Sequence, residues 1–334
     1  MRKFWAVLAL LFLPFSSGAV LTKEQAAMSL GQTYTANFYA GDMAPIWQHM
    51  TKAMREVLGS EDGLRKFGNK IEHDVGSEVT VIAERVESVA GYRTYTRQSK
   101  FSKFAIPIIL SWSFDSEDQI SVFYVMPQRE PAQSPYLDYD TQAYLRLPFD
   151  GEWLVFWGGR TVEQNYHAAV RDQRFAYDLL VVIDGKSHSG DGRSNENYYC
   201  WGKQILSPGS GTVVTAVSNL PDNQHGVMEP ANPPGNFVML DLGNKEYALL
   251  AHMQNGSVVV AEGDEVRPGQ PIGLCGNSGN TSEPHLHFHL QDSKRFGKGD
   301  GKPALFSNYL SNGKPVDRGE PIRGETISPD RNGD

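Results

Sequence analysis

Apolar residues recur at helical intervals early in the chain and at alternating positions later. Ile46, Met50, Met54, Val57 and Leu58 fall at helical spacing, and Pro45 suits a first helical turn, so residues 20–58 read as helical up to Gly59. A second short helical piece lies near Gly63–Phe67. The period then changes to two. Glu78–Glu87, Tyr92–Lys100, Ile106–Phe114 and Gln119–Met126 read as strands, with hairpin turns at Ala90-Gly91, Lys103 and Asp115–Asp118. Helices followed by a meander of strands predict an α+β layered domain over residues 20–138. Gln128 to Asp140 is rich in Pro, Gln, Ser and Asp and reads as a linker. From Ala143 onward the pattern is strand-rich, at Trp153–Trp157, Asp178–Ile183, Gly211–Ser218, Phe237–Leu242, Tyr247–His252 and His285–Leu290. Two long polar loops, Asp184–Lys203 and Asn219–Gly235, interrupt it; loops of this length usually line a site or move. Beyond Gly313 a polar tail with Pro315, Pro321 and Pro329 reads as extended over the surface or disordered.

Composition bounds the possibilities. A chain of 334 residues, 40% apolar and 11% aromatic, accommodates two domains with real cores. Residues 1–19 read as a cleaved export signal: Arg2 and Lys3, the apolar run Ala6–Phe15, then Ser17-Gly18-Ala19. Without that segment the balance is 29 basic against 39 acidic residues, which disfavours nucleic acid as a partner. No other segment is long and apolar enough to span a bilayer. Cys200 and Cys275 are a candidate disulfide in an oxidising compartment, and buried thiols are the alternative.

The candidate chemistry lies in Gly276–His289. His285, His287 and His289 alternate with apolar residues, which puts three imidazoles on one strand face. Further upstream, His167 sits in a polar stretch and Asp178 opens the apolar run Leu179–Ile183. A carboxylate at the mouth of a buried strand is costly unless a cation or donors meet it. Catalytic zinc usually takes three such ligands and leaves a fourth position to water. His167, Asp178 and His287 would form that set, with His285 and His252 nearby as auxiliary groups.

These motifs together resemble the lysostaphin/LytM-type zinc metallopeptidases. The resemblance covers about Ala143–Asp292 and runs in order: His167 and Asp178, Pro208–Val213, His252-Met253, Gly263–Gly273 and Gly276–Phe288. It implies a mostly antiparallel β-sheet domain with a groove, taken as residues 139–312 before the tail. It also implies one Zn2+ per chain on His167, Asp178 and His287, with His285 and His252 as the catalytic pair and a peptidoglycan peptide as substrate. The site is a periplasmic or secreted hydrolase in that reading. A non-catalytic cell-wall activator module and a zinc peptidase acting on proteins are its rivals. Two departures stand out. Ten residues separate His167 from Asp178, more than the family form, which makes Asp172 a rival ligand; His289 stands where the family usually has glutamate. Asn165 and Gln173 are candidates to orient ligands by hydrogen bonds. His188 and His225 lie in the long loops, and His49 and His73 in the first domain. That first domain resembles, by element order alone, the cone-shaped nuclear-transport-factor-two-like fold.

Overall fold

The computed structural model describes residues 22–330 apart from Ala90 and His225. The export signal read over residues 1–19, one half of the Ala90-Gly91 turn and His225 therefore lie outside the described residues.

The N-terminal region is α+β, as its pattern predicts. Four helices come first: α1 (Lys23–Ala40), α2 (Met43–His49), α3 (Lys52–Leu58) and α4 (Glu61–Val75). Each boundary has a local cause. Thr22 and Gln25 form a reciprocal capping box at the start of α1, and Gly41 ends it at φ 73°. Thr51 caps α3 and Ser60 caps α4, each side chain accepting from a backbone N–H of the first turn. The single helical stretch expected over residues 20–58 is thus three helices. Gly41 breaks it once. Met50 breaks it again by turning extended and bridging to Ile120 of the sheet. Strands β1 (Glu78–Val89), β2 (Tyr92–Phe101), β3 (Phe104–Phe114) and β4 (Ile120–Pro127) form an antiparallel meander in sequence order. The helices cover one face of it, burying Tyr34, Phe38, Ile46, Leu64, Tyr95, Trp112 and Phe123 in a shared core.

The C-terminal region is a large antiparallel sheet. Its strands are β5 (Trp153–Trp157), β6 (Tyr177–Leu180), β7 (Gln204–Leu206), β8 (Gly211–Val217), β9 (Asn236–Asp241) and β10 (Tyr247–Met253). They continue with β11 (Glu265–Val266), β12 (Pro271–Leu274), β13 (Leu286–Gln291), β14 (Gly301–Lys302), β15 (Phe306–Ser311), β16 (Lys314–Gly319) and β17 (Thr326–Pro329). The order across the main sheet is β11-β8-β9-β10-β13-β6-β5-β17-β15-β16, with β14 also on β13 and a separate β12-β7 ribbon. One face packs a core through Leu179, Leu240, Leu250, Phe288 and the ribbon's Ile205 and Ile272. The alternate residues of β6, β10 and β13 point to the opposite face. Register places Asp178 opposite His287, His287 opposite Ala251 and His289 opposite Leu249.

The segment after Gly313 is extended, the first of its two expected forms, and it is part of the sheet: β16 is mostly exposed, and β17 lies between β15 and β5. Gln128–Asp140 has no regular structure but is held down along its length. Ala132 N–H donates to the Ala168 carbonyl at 2.8 Å. The Tyr136 hydroxyl donates to Asp292 at 3.0 Å, and that of Tyr139 to Glu246 at 2.9 Å. Glu246, fully buried, also accepts the backbone N–H groups of Gln142 and Ala143. Among the described residues no helix is long and apolar enough to cross a membrane.

Candidate metal centre and active site

Three elements bring the candidate ligands together. His167 lies in a 3-10 turn, Tyr166–Ala169, whose preceding residue Asn165 is fully buried. The Asn165 Oδ1 accepts the His167 N–H at 3.1 Å, and its Nδ2 donates to the carbonyls of Gly159 (3.2 Å) and Ala176 (2.9 Å). One side chain therefore ties the turn to the backbone just before Asp178. Asp178 and His287 are cross-strand neighbours on β6 and β13, where side chains of one face stand close together. Ligand atoms of His167, Asp178 and His287 all lie within 4.8 Å of one another, and all three residues are buried. His167 Nε2 stands 3.0 Å from Asp178 Oδ2, and His287 Nδ1 stands 2.8 Å from Asp178 Oδ1. Two imidazole nitrogens and one carboxylate, buried together, form a donor set suited to zinc.

The auxiliary histidines approach from two other directions. His252 has φ 63°, in the left-handed region a branched or bulky residue rarely adopts, and the β9–β10 register slips between Leu250 and Met253. The irregularity aims its ring across the sheet, 4.8 Å from the His285 ring and 5.8 Å from that of His287. Its Nδ1 lies 2.8 Å from the Ser278 carbonyl, so Nδ1 carries the proton and Nε2 is bare. His285 is held alike: Nδ1 lies 2.9 Å from the Glu283 carbonyl, leaving Nε2 to face Asp178 Oδ1 at 3.6 Å. Burial, and then the neighbouring His285 and His287, push His252 well below the usual imidazole range. Burial also lowers His285, but Asp178 and the Glu283 carbonyl outweigh it and the net direction is up. Burial raises the Asp178 carboxyl, yet His167 and His285 outweigh it and hold it well below the usual carboxylate range.

The remaining candidates separate clearly. Asp172 is away from the ligand set; its carboxylate accepts the Gly297 N–H at 3.0 Å. Gln173 enters through its backbone, its carbonyl accepting Ala176 N–H at 3.0 Å. His289 adjoins the ligand set: it is fully buried, its Nδ1 is 2.9 Å from His287 Nε2, and burial then His287 push its pKa down to about 3. His188 turns to the Ser189 carbonyl, and His49 and His73 stay in the N-terminal region. Cys200 and Cys275 are joined as a disulfide with Cα atoms 6.0 Å apart. It ties the end of the Asp184–Lys203 loop to the strand end just before Gly276–His285. Sequence reasoning missed Tyr166. Its ring centroid lies 3.9 Å from that of His167 and 5.3 Å from that of Trp157; the residue is 44% exposed, and desolvation at its phenol end, then the Asp178 charge, raise the phenol pKa. The available signal was an aromatic residue directly before a ligand in a polar stretch.

Residues 198–303 match the model of peptidase family M23. That span holds His252, His285, His287 and His289; His167 and Asp178 precede it, and the fold brings them in. The chain is 39% identical over 56 residues to the peptidoglycan DD-endopeptidase ShyA of Vibrio cholerae, covering 17% of this chain and 13% of that one. It is 35% identical over 145 residues to endolysin 2638A of Staphylococcus phage 2638A (43% and 25%). It is 30% identical over 91 residues to the murein hydrolase activator EnvC of Escherichia coli (27% and 20%). The chain thus spans a quarter or less of the length of these curated relatives.

Proposed function

We propose, from the match of residues 198–303 to the peptidase family M23 model, that the protein is an exported zinc endopeptidase that cuts peptide cross-links of peptidoglycan. The observation that carries the reading is the convergence of His167, Asp178 and His287 beside two further histidines whose Nε2 atoms face the same space. Zinc, when bound there, supplies a Lewis acid for the scissile carbonyl and lowers the pKa of water. The protein's own groups do the rest. Asn165 and the cross-strand pair fix the ligand positions before substrate arrives. His285, next to Asp178, takes the proton of the attacking water at Nε2. His252, its ring 4.8 Å from that of His285, hydrogen-bonds the oxyanion once its own Nε2 holds a proton, and the two roles are chemically exchangeable. The disulfide supports export, since such bonds persist in oxidising compartments. The peptidoglycan substrate rests on the printed activities of ShyA and endolysin 2638A.

The rival is an activator without catalysis, which the likeness to EnvC favours. The donor set argues against it, because a module that only binds has no need of buried, convergent ligands. Metal analysis of the purified protein is expected to find about one zinc per chain. Digestion of sacculi, read by mass spectrometry, is expected to yield new peptide ends that vanish in His285→Ala. Intact sacculi with a folded, zinc-loaded protein would replace the enzyme reading by the activator.

A further inference from the structure

A row of hydrogen bonds runs along β13 from His287 away from the ligand set, and its polarity is fixed from the far end. Gln291 is fully buried. Its Nε2 donates to two backbone carbonyls, those of Ser293 and of Arg295 (2.9 Å). Carbonyl oxygens only accept, so the amide nitrogen must face them and Oε1 must face the other way. Oε1 lies 2.9 Å from His289 Nε2, which therefore carries the proton. A neutral imidazole with Nε2–H has a bare Nδ1. That atom lies 2.9 Å from His287 Nε2 and accepts from it. His287 is then the Nε2–H tautomer, and its Nδ1 lone pair points at Asp178 Oδ1, 2.8 Å away. Lone pair faces lone pair there, an arrangement that a cation between them satisfies and a hydrogen bond does not. Reversing the row would set amide and backbone oxygens against one another at its far end.

We infer that His289 and Gln291 are positioning residues, which hold His287 in the one tautomer that presents Nδ1 to a metal. This rests on the zinc reading above and deepens it. The row is anchored by the ten residues that separate His167 from Asp178. Arg171 pairs with Asp300 through two bonds, one of 2.7 Å. The Asp172 carboxylate holds Gly297 N–H, and Asp292 holds Asp300 N–H at 2.8 Å. These contacts pin the 292–300 loop that offers the Ser293 and Arg295 carbonyls. Asp172, the rival ligand by sequence, thus acts on the metal site only through this loop.

The test reads the tautomer in the metal-free protein by long-range 1H–15N NMR and zinc affinity by competition with a chelator. Parent His287 is expected to be protonated at Nε2. In His289→Leu the proton is expected to move to Nδ1, toward Asp178, and zinc affinity to fall about 10- to 100-fold, as for other groups that orient ligands. His289→Asn, whose amide oxygen stands where Nδ1 stood, restores both. Gln291→Leu gives a second, independent break of the row if His289→Leu does not fold. A parent His287 protonated at Nδ1 overturns the inference, and so do unchanged tautomer and affinity in the leucine variants. A parent with the Nε2–H tautomer that binds no zinc supports the positioning of His287 and removes the zinc reading alone.

Discussion

The two regions of the molecule bury their residues on different terms. In the N-terminal core the indole of Trp112 stacks on Phe123 with centroids 3.8 Å apart, and Phe38 meets Phe123 edge-on at 5.0 Å. Its charged cluster, Arg97 with Glu78 and Glu84, sits at the margin and stays partly exposed. The site face of the C-terminal sheet does the opposite. Asp178, His287, His289 and Gln291 are buried in one patch, next to the apolar Leu249 and Ala251. Even when paired, buried polar groups are often replaced by well-packed apolar ones with no loss of stability or with a gain, so an apolar row would make a sheet at least as stable. A polar row that is buried and internally paired marks the place where stability was given up for chemistry. The N-terminal region has the stronger claim to packing.

That division can be broken from either side. The largest effect is expected from His287→Ala: zinc content falls from about one per chain to none and activity to background, while metal-free stability falls only by the cost of the orphaned His289 Nδ1, about 1–3 kcal/mol. A variant that kept its zinc would refute the ligand assignment outright. Trp112→Ala should do the reverse. It is expected to destabilise the N-terminal region by about 3–5 kcal/mol in urea unfolding, as large aromatic truncations do, and leave zinc affinity unchanged. Loss of zinc in Trp112→Ala would show that the two regions are energetically one.

The disulfide should give the next largest change. It links positions 75 apart in sequence and joins the Asp184–Lys203 loop to the segment bearing His285. Replacing both cysteines by serine is expected to cost about 2–4 kcal/mol. The loss should appear as faster hydrogen exchange in the Asp184–Lys203 loop and residues 276–285, with the N-terminal region unaffected. Uniform exchange across the chain would contradict a local brace.

Legibility in the sequence followed the same division. Where burial and side-chain period agree, the pattern suffices: β1 to β4 and β5, β8 and β10 fall within three residues of their expected ends. It fails where backbone contacts decide. β16 is mostly exposed along its length, with no alternation to read, and β17 is only four residues long. The Gln128–Asp140 segment looks like a linker because composition does not reveal that Glu246 and Asp292 receive its hydrogen bonds. At the site, the residues of His167, Asp178, His252, His285 and His287 were all candidates, and the structure gathers them. The role of His289 was hidden because polar strand residues usually face water, whereas this one lies under the 292–300 loop. The ten-residue spacer looked like an anomaly around a ligand, and its contacts with that loop give it a task.

The smallest expected effect concerns the margin of the N-terminal core and depends on pH. The Arg97 guanidinium bonds Glu78 at 2.5 and 2.9 Å and Glu84 at 2.7 Å. Burial pushes both carboxyls up, but hydrogen bonds from Arg97 at Glu78, and from Tyr95, Gln32 and Arg97 at Glu84, outweigh it and hold both below the usual range. As pH falls the unfolded chain binds protons first, near the ordinary glutamate value of about 4.3, while the folded protein still resists them. The stabilisation is therefore complete above that pH and is lost as pH drops through the lower folded values. Arg97→Met removes the partner at similar volume. At pH 7 it is expected to cost roughly 1–2 kcal/mol, between an exposed pair and a buried one. Urea midpoints of parent and variant should converge as pH falls below about 4, with zinc affinity equal throughout at neutral pH. A gap that held constant into acid would mean that Arg97 acts by packing its stem rather than by its charge, and the N-terminal region would then owe its stability to apolar contact alone.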